Sequence, residues 1–118
     1  MTPRAFRTLA LQLAGVVESS HMEHPDFRVR GKIFATLGYP TDEFATLMLT
    51  PEEQAEFVRE GSGAFTPAKG GWGLKGSTNV HLKSASPAVV KRALSAAWAR
   101  KSSPPGRRPR ARLAGRPR

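Results

Sequence analysis

The segment from Lys69 to Gly76 combines an indole ring and two ammonium groups with several glycines. Lys69, Trp72 and Lys75 interleave two chemistries that nucleic-acid binding uses, because an indole stacks on a base and an ammonium group pairs with a phosphate. Glycines also let a backbone approach such a ligand closely. An alternative stays open, in which the segment is a long hairpin loop and Trp72 folds back as a lid on the core.

The same segment matches the G-x-G-x-x-G pattern of dinucleotide-binding folds between Gly71 and Gly76. In those folds a strand precedes the glycines and a helix follows them, so that the helix N-terminus meets the pyrophosphate. Here the residues after Gly76 predict a strand, and no acidic residue follows Glu60 to bind a ribose. A Walker A phosphate-binding sequence is absent as well. We therefore expect no nucleotide cofactor.

The sequence gives little support for a metal site or for an enzyme active site. His21 and His24, three residues apart, could join His81 in a metal site, but they lack a flanking carboxylate pattern, and such histidines are more often structural. The serines fall in predicted turns and caps without a G-x-S-x-G elbow, and the chain has no cysteine. The sequence thus predicts no metal, no cofactor and no enzyme. An enzyme would need polar residues converging on the 70–76 loop, the candidates being His24, Asp26, Lys75 and His81.

Positive charge is concentrated towards the C-terminus. Residues 1–60 hold six basic and all nine acidic residues, whereas residues 100–118 hold eight basic residues and no acidic one. With one leucine, no aromatic residue and four prolines, this stretch predicts a disordered tail over 102–118. Arginines replace condensed counterions on phosphate, which indicates nucleic-acid binding, and a merely solvated tail stays open as an equal alternative. The arginines concerned are Arg107, Arg108, Arg110, Arg112 and Arg116.

The elements that must position these residues follow from hydrophobic periodicity and capping. Apolar residues at helical spacing predict a first helix that begins at Pro3 and a last helix that begins at Pro87. A capping box at Thr50 predicts a helix up to about Glu60, with Ala55 and Val58 inward. Alternation predicts strands within 16–22, in both arms of a hairpin over 26–38 that turns at Gly31, and over 43–49, 64–67 and 78–83.

This order, helix, three or four strands, helix, two strands, helix, indicates one α+β domain over 1–101 with a largely antiparallel sheet. No apolar run approaches the roughly 20 residues that span a bilayer. The first helix is amphipathic and no cleavage site follows it, which argues against a signal peptide. We expect a cytoplasmic monomer without membrane contact.

The segment over 24–37, HPDFRVRGKIFATL, resembles the signature hairpin of the MmcQ/YjbR family. LTPEEQ over 49–54 resembles the helix start of that family. GGWGLKG over 70–76, the following Thr78-x-Val80-x-Leu82, and the closing helix with Ala97-Trp98 are similar to its C-terminal half. The resemblance covers about residues 5–100, in order and at matching spacing.

The resemblance implies a small bacterial α+β protein with a fold described as a "double wing" that binds DNA. One wing would be the 26–38 hairpin with Arg28, Arg30 and Lys32, and the other the 64–83 hairpin with Lys69, Trp72, Lys75 and Lys83. Two features depart from the family: Ser77 stands where an aromatic residue is common, and the 102–118 tail is not part of the pattern. The prediction is a non-enzymatic DNA-binding protein, and the alternative is a module that binds a protein or a small ligand.

Overall fold

The computed structural model describes residues 1–102 of the chain. Its elements are, in order, α1 (Pro3–Leu11), β1 (Val17–His21), β2 (His24–Val29), β3 (Lys32–Leu37), β4 (Phe44–Met48), α2 (Pro51–Glu60), β5 (Phe65–Pro67), α3 (Gly70–Leu74), β6 (Ser77–His81) and α4 (Pro87–Ser102). The predicted α+β class is confirmed, with four strands before α2. No helix within the described range is long and apolar enough to cross a membrane.

Two local predictions need correction. The glycine-rich segment is a short helix, α3, and not a plain hairpin loop. Ser102, predicted as the first residue of the tail, belongs to α4, which continues through it. The rest of the predicted tail lies outside the described residues, and so do its five candidate arginines.

All six strands form one antiparallel sheet in the order β1-β2-β3-β4-β6-β5. The β2–β3 hairpin turns through Arg30 and Gly31, which have φ values of 53° and 76°. A tight two-residue turn whose twist matches that of the flanking strands requires positive φ at both central residues. The predicted turn at Gly31 is therefore correct, and it places Arg30 at the tip of the hairpin.

Helices α1, α2 and α4 pack together over the sheet, α2 against β5 and β6 and α4 against β2, β3 and β4. Phe6 of α1 meets Phe27 of β2 edge-on, with ring centroids 6.1 Å apart. The predicted apolar stripe of α4 is buried, and Trp98 on the same helix donates an indole hydrogen bond of 2.9 Å to the carbonyl of Ala14. The helices and the sheet thus enclose one core.

The predicted inward face of α2 was wrong in part. Ala55 is exposed and Val58 half-buried, whereas Phe57 is buried and stacks on Phe65 of β5 at 5.9 Å. The larger ring takes the core-facing position because burying a phenylalanine removes more apolar surface from water than burying an alanine.

A row of polar side chains crosses the sheet at one level of the register, the members being Ser19, Asp26, Thr36, Thr46, Asn79 and Thr66. Direct cross-strand partners project to the same face, so this row occupies a single face of the sheet. The Thr46 hydroxyl lies 3.0 Å from the Asn79 amide oxygen and 3.3 Å from the Tyr39 carbonyl. This row of the sheet is therefore polar, and the hydrogen bond from Thr46 ties it to the β3–β4 loop.

Candidate nucleic-acid interface

The strand register places several predicted site residues at one end of the sheet. Val29 pairs with Lys32, and Met48 pairs with Ser77, so the β2–β3 turn and the start of β6 lie at the same end as the end of β4. β5 also ends there, because Pro67 pairs with Thr78. Six basic residues gather at this end from the β2–β3 hairpin, from the segment around α3 and from the end of α4. We call them the basic end: Arg30, Lys32, Lys69, Lys75, Arg100 and Lys101.

In the β2–β3 hairpin the three predicted basic residues differ in their surroundings. Arg30 and Lys32 are exposed on either side of the turn. Arg28 instead donates hydrogen bonds of 2.8 and 3.1 Å to the two carboxylate oxygens of Asp26. Asp26 is fully buried, and its Oδ2 also lies 2.8 Å from the His21 ring. The charge of Arg28 is thus matched by a carboxylate, whereas Arg30 and Lys32 project from the molecule.

Hydrogen bonds from Arg28 are the main reason why the pKa of Asp26 lies below its ordinary value. Burial opposes this effect, and the His21 hydrogen bond adds to it. Asp26 is therefore a carboxylate held in its charged form, as a buried charge must be when it is paired. This cluster fixes Arg28 against the strand and stabilises the base of the hairpin.

The end of α4 contributes Arg100 and Lys101 to the basic end, and neither was among the site residues predicted from the sequence. Arg100 donates a 3.1 Å hydrogen bond to the carbonyl of Met48, which ties the helix to the end of β4. The pKa of Lys101 is lowered, first by burial and then by the positive charges of Arg100 and Lys32. A lysine whose charge is opposed by two neighbouring cations marks a local excess of positive charge.

A sequence signal for Lys101 did exist. The buried residues of α4 are Val90, Ala93, Leu94 and Ala97, and Lys101 follows Ala97 by one further helical step. The stripe that packs on the sheet therefore continues into Lys101, which explains why this lysine is half-buried beside the sheet.

Helix α3 displays Trp72 to solvent. The indole is 71% exposed, so the alternative that it folds back as a lid on the core was wrong. The inward residue is Gly73, where a Cβ atom would lie 1.8 Å from the carbonyl oxygen of Ala68. Only glycine allows this approach, and the side chain on the preceding residue is consequently directed away from the core. Lys75 places its ammonium group 6.0 Å from the centre of the indole ring.

Lys83 does not belong to the basic end. It follows β6, and β6 runs away from Ser77, so Lys83 lies at the opposite end of the sheet. The loops at that end, β1–β2 and β3–β4, carry the acidic residues Glu23, Asp42 and Glu43. The structure therefore separates Lys83 from the other candidate side chains of its own hairpin.

Acidic side chains are present near the basic end as well. Glu52 and Glu53 stand in the first turn of α2, which follows β4 directly. Glu53 accepts a 2.9 Å hydrogen bond from the backbone N–H of Thr50 and completes the predicted capping box. Its carboxylate is thus used by the helix N-terminus, and the basic residues outnumber the two acidic ones at this end.

The residues considered for enzyme chemistry do not converge on the 70–76 segment. His24 begins β2 and His81 ends β6, both at the end of the sheet opposite Lys75. His81 contacts Glu43 at 3.1 Å and Ser84 at 2.9 Å. Within residues 1–102, no group of three side chains from His, Cys, Asp and Glu is arranged to hold a metal ion.

The fold defines a class: an α+β protein with one six-stranded antiparallel sheet covered by helices. The chain belongs to the YjbR family, whose model matches residues 11–100. The comparison with curated proteins found no match. Among solved structures, the chain is similar to the Deinococcus radiodurans protein DR2400, which has a DUF419 domain. The TM-score is 0.67 at 18% identity, over 82% of this chain and 75% of that one, and this likeness concerns the fold alone.

Proposed function

We propose that this chain is a non-enzymatic DNA-binding protein that contacts phosphates with the basic end and with the Arg-rich sequence after Ser102. The observation that carries the proposal is the convergence of Lys32, Arg100 and Lys101. They come from two elements distant in the sequence, and the pKa of Lys101 is lowered first by burial and then by the positive charges of Arg100 and Lys32. Placing like charges close together costs free energy, which an anionic ligand would recover.

The family resemblance supports the same site. In this proposal the two hairpins expected of a double wing are β2–β3 and β5–β6, the latter with α3 between its strands. Arg30 and Lys32 on the first hairpin and Lys69 and Lys75 on the second are exposed at one end of the sheet. We assign the phosphate contacts of the wings to these four residues. Arg28 is paired with Asp26 and serves to hold the first hairpin, and Lys83 lies too far away to take part.

The C-terminal sequence enters the proposal through its point of attachment. Helix α4 ends at Ser102, next to Arg100 and Lys101, so the chain that follows continues from the basic end. That sequence adds six arginines, which makes eight basic residues from Arg100 onwards. Eight phosphate contacts would give a slope of at most about −7 in a plot of log affinity against log salt, and a partly engaged tail about half of that.

Fluorescence anisotropy with a labelled duplex across a salt series tests the proposal. The comparison is between the full chain and a chain that ends at Ser103, which retains all described elements. We expect salt-dependent binding by both, with a smaller slope and a lower affinity for the shorter chain. Affinity that ignores both salt and truncation would refute the role of the tail. A shorter chain without DNA affinity at low salt would favour the alternative function, binding of a protein or a small ligand.

A further inference from the structure

We infer that Trp72 is a stacking platform for an unpaired base, so that the preferred ligand is single-stranded or locally opened DNA and not uninterrupted duplex. The inference rests on the proposed function, because the phosphates of the same strand are bound by the basic end. It names the class of nucleic acid, which the distribution of charge alone does not specify.

Helix α3 is held in the fold by contacts of its backbone. Gly73 packs its backbone against the carbonyl of Ala68, at a distance that excludes a side chain. Gln54 on α2 donates hydrogen bonds of 3.0 and 2.9 Å to the carbonyls of Gly73 and Ser77, at either side of the turn that follows the helix. The short helix is thus attached through its backbone, and Trp72 and Leu74 on either side of Gly73 remain exposed by 71% and 82%. Such attachment fixes the backbone that carries the ring before binding, which lowers the entropic cost of stacking.

Two ammonium groups lie near the indole ring of Trp72. Lys75 lies over the indole at 6.0 Å, a cation–π arrangement, and Lys69 directly precedes α3. When Lys75 is near one face of the ring, the other face remains open to a base, while the two ammonium groups are available to the flanking phosphates. Aromatic rings interleaved with basic side chains are the general means by which proteins bind single strands without reading their sequence.

An intact duplex is a poor partner for the exposed ring of Trp72. In a duplex both faces of a base are covered by its neighbours, and an indole reaches one only after the base is unstacked. An unpaired base offers its face without that cost. A protein partner would meet the same exposed indole and leucine, but it gives no reason for ammonium groups at both ends of a five-residue helix.

The experiment measures the affinity of the full chain and of two variants for four labelled ligands of equal length. The ligands are a single-stranded DNA, the matching duplex, a duplex with a central mismatched bubble, and a single-stranded RNA. The variants are Trp72→Ala and the control Tyr39→Ala, which removes another exposed aromatic ring, at the opposite end of the sheet. Loss of one stacked base lowers affinity by about 5- to 150-fold. We expect this loss for Trp72→Ala with the single strand and the bubble, and neither variant should alter duplex affinity.

Tryptophan emission gives an independent readout. The chain has two tryptophans, and Trp98 is half-buried and bonded to Ala14, so ligand-dependent quenching is expected to come from Trp72 and to vanish in Trp72→Ala. Retained quenching in that variant, or equal single-strand affinities of the original chain and the variant, would overturn the inference while leaving salt-dependent DNA binding intact. An equal loss for duplex and single strand would also overturn it and would indicate a wedge inserted into duplex.

Absence of salt-dependent binding to any ligand would refute the proposed function itself. Equal affinity for RNA would widen the ligand class to both kinds of single strand.

Discussion

The guanidinium of Arg100 donates a hydrogen bond of 3.1 Å to the backbone carbonyl of Met48, the last residue of β4. This contact joins the end of the C-terminal helix to the end of a central strand. It also determines where the Arg-rich sequence leaves the described structure, beside the hairpin that carries Lys32. The end of α4 is therefore joined to the sheet by a contact between residues far apart in the sequence.

Single charge removals at the two ends of the sheet should affect DNA affinity differently. Lys32→Ala and Lys75→Ala each remove one exposed cation of the basic end, whereas Lys83→Ala removes one at the opposite end. We expect the first two to weaken duplex binding several-fold and to reduce the salt slope by about one each. Lys83→Ala is the matched control and should leave both quantities unchanged. A loss in the control equal to that in the others would contradict the assignment of one binding end.

Removing the charge of Lys101 should stabilise the fold while weakening DNA binding. Its pKa is lowered in the folded state by burial and by Arg100 and Lys32, so the unfolded state binds the proton more tightly and the charged lysine destabilises the fold at neutral pH. Lys101→Met should raise the free energy of unfolding by about 0.5 kcal/mol in low salt, as measured by urea denaturation.

The advantage of Lys101→Met should shrink as salt screens the neighbouring cations. Lys91→Met, an exposed position on the outer face of the same helix, is the control and should change stability little in either condition. A destabilised Lys101→Met variant would show that the lysine stem packs more favourably than its charge is repelled.

The sequence predicted the elements well because local signals determine them. The capping box at Thr50 and the apolar stripe of α4 each depend on residues a few positions apart, and both were confirmed. The α3 segment was not predicted as a helix, because glycines disfavour helices intrinsically and this one depends on contacts with Ala68 and Gln54. Those contacts are tertiary, and no local pattern contains them.

The sequence indicated which basic residues are candidates for the site, but not which of them lie at the same end of the sheet. Lys75 and Lys83 belong to one predicted hairpin, and only the register of β6 shows that they lie at opposite ends of the sheet. In the sequence, Arg28 and Arg30 are equivalent basic residues on one face of the hairpin. In the structure, Arg28 forms an ion pair with the buried Asp26, and only Arg30 is exposed. Which charges converge is decided by strand pairing, and that is a property of the whole sheet.

Acid should destabilise the fold through Asp26. The pKa of this buried carboxyl is lowered in the folded state, chiefly by the hydrogen bonds from Arg28, so its contribution is complete above about pH 5 and is lost as pH falls through the folded pKa, below about 3.9. Asp26→Asn should cost about 1–3 kcal/mol at pH 7, because the amide is a poorer partner for Arg28. The gap between the two proteins, measured by thermal unfolding between pH 7 and pH 2, should narrow with acid.

Asp42→Asn, in the exposed β3–β4 loop, is the control and should leave the pH profile of stability unchanged. The pKa of Glu60 is also lowered, by its contact with Arg92, so part of the acid decline should remain in Asp26→Asn. A constant gap at all pH values would mean that the side chain contributes through its shape and not through its charge.

A methyl group at position 73 should detach α3 from the sheet. The Cβ atom of Gly73→Ala would lie 1.8 Å from the Ala68 carbonyl oxygen, and that oxygen belongs to the backbone and cannot swing aside. We expect a cost of about 1–3 kcal/mol in unfolding free energy, as for other overpacked sites, and faster amide hydrogen exchange over 70–76. Gly71→Ala in the same helix has no atom within 4 Å of its Cβ, and it should be neutral or slightly stabilising.

Because Trp72 depends on this attachment for its orientation, Gly73→Ala should also lower single-strand affinity with the indole still present. Normal exchange and normal affinity in Gly73→Ala would refute the view that the close backbone contact is what displays the ring.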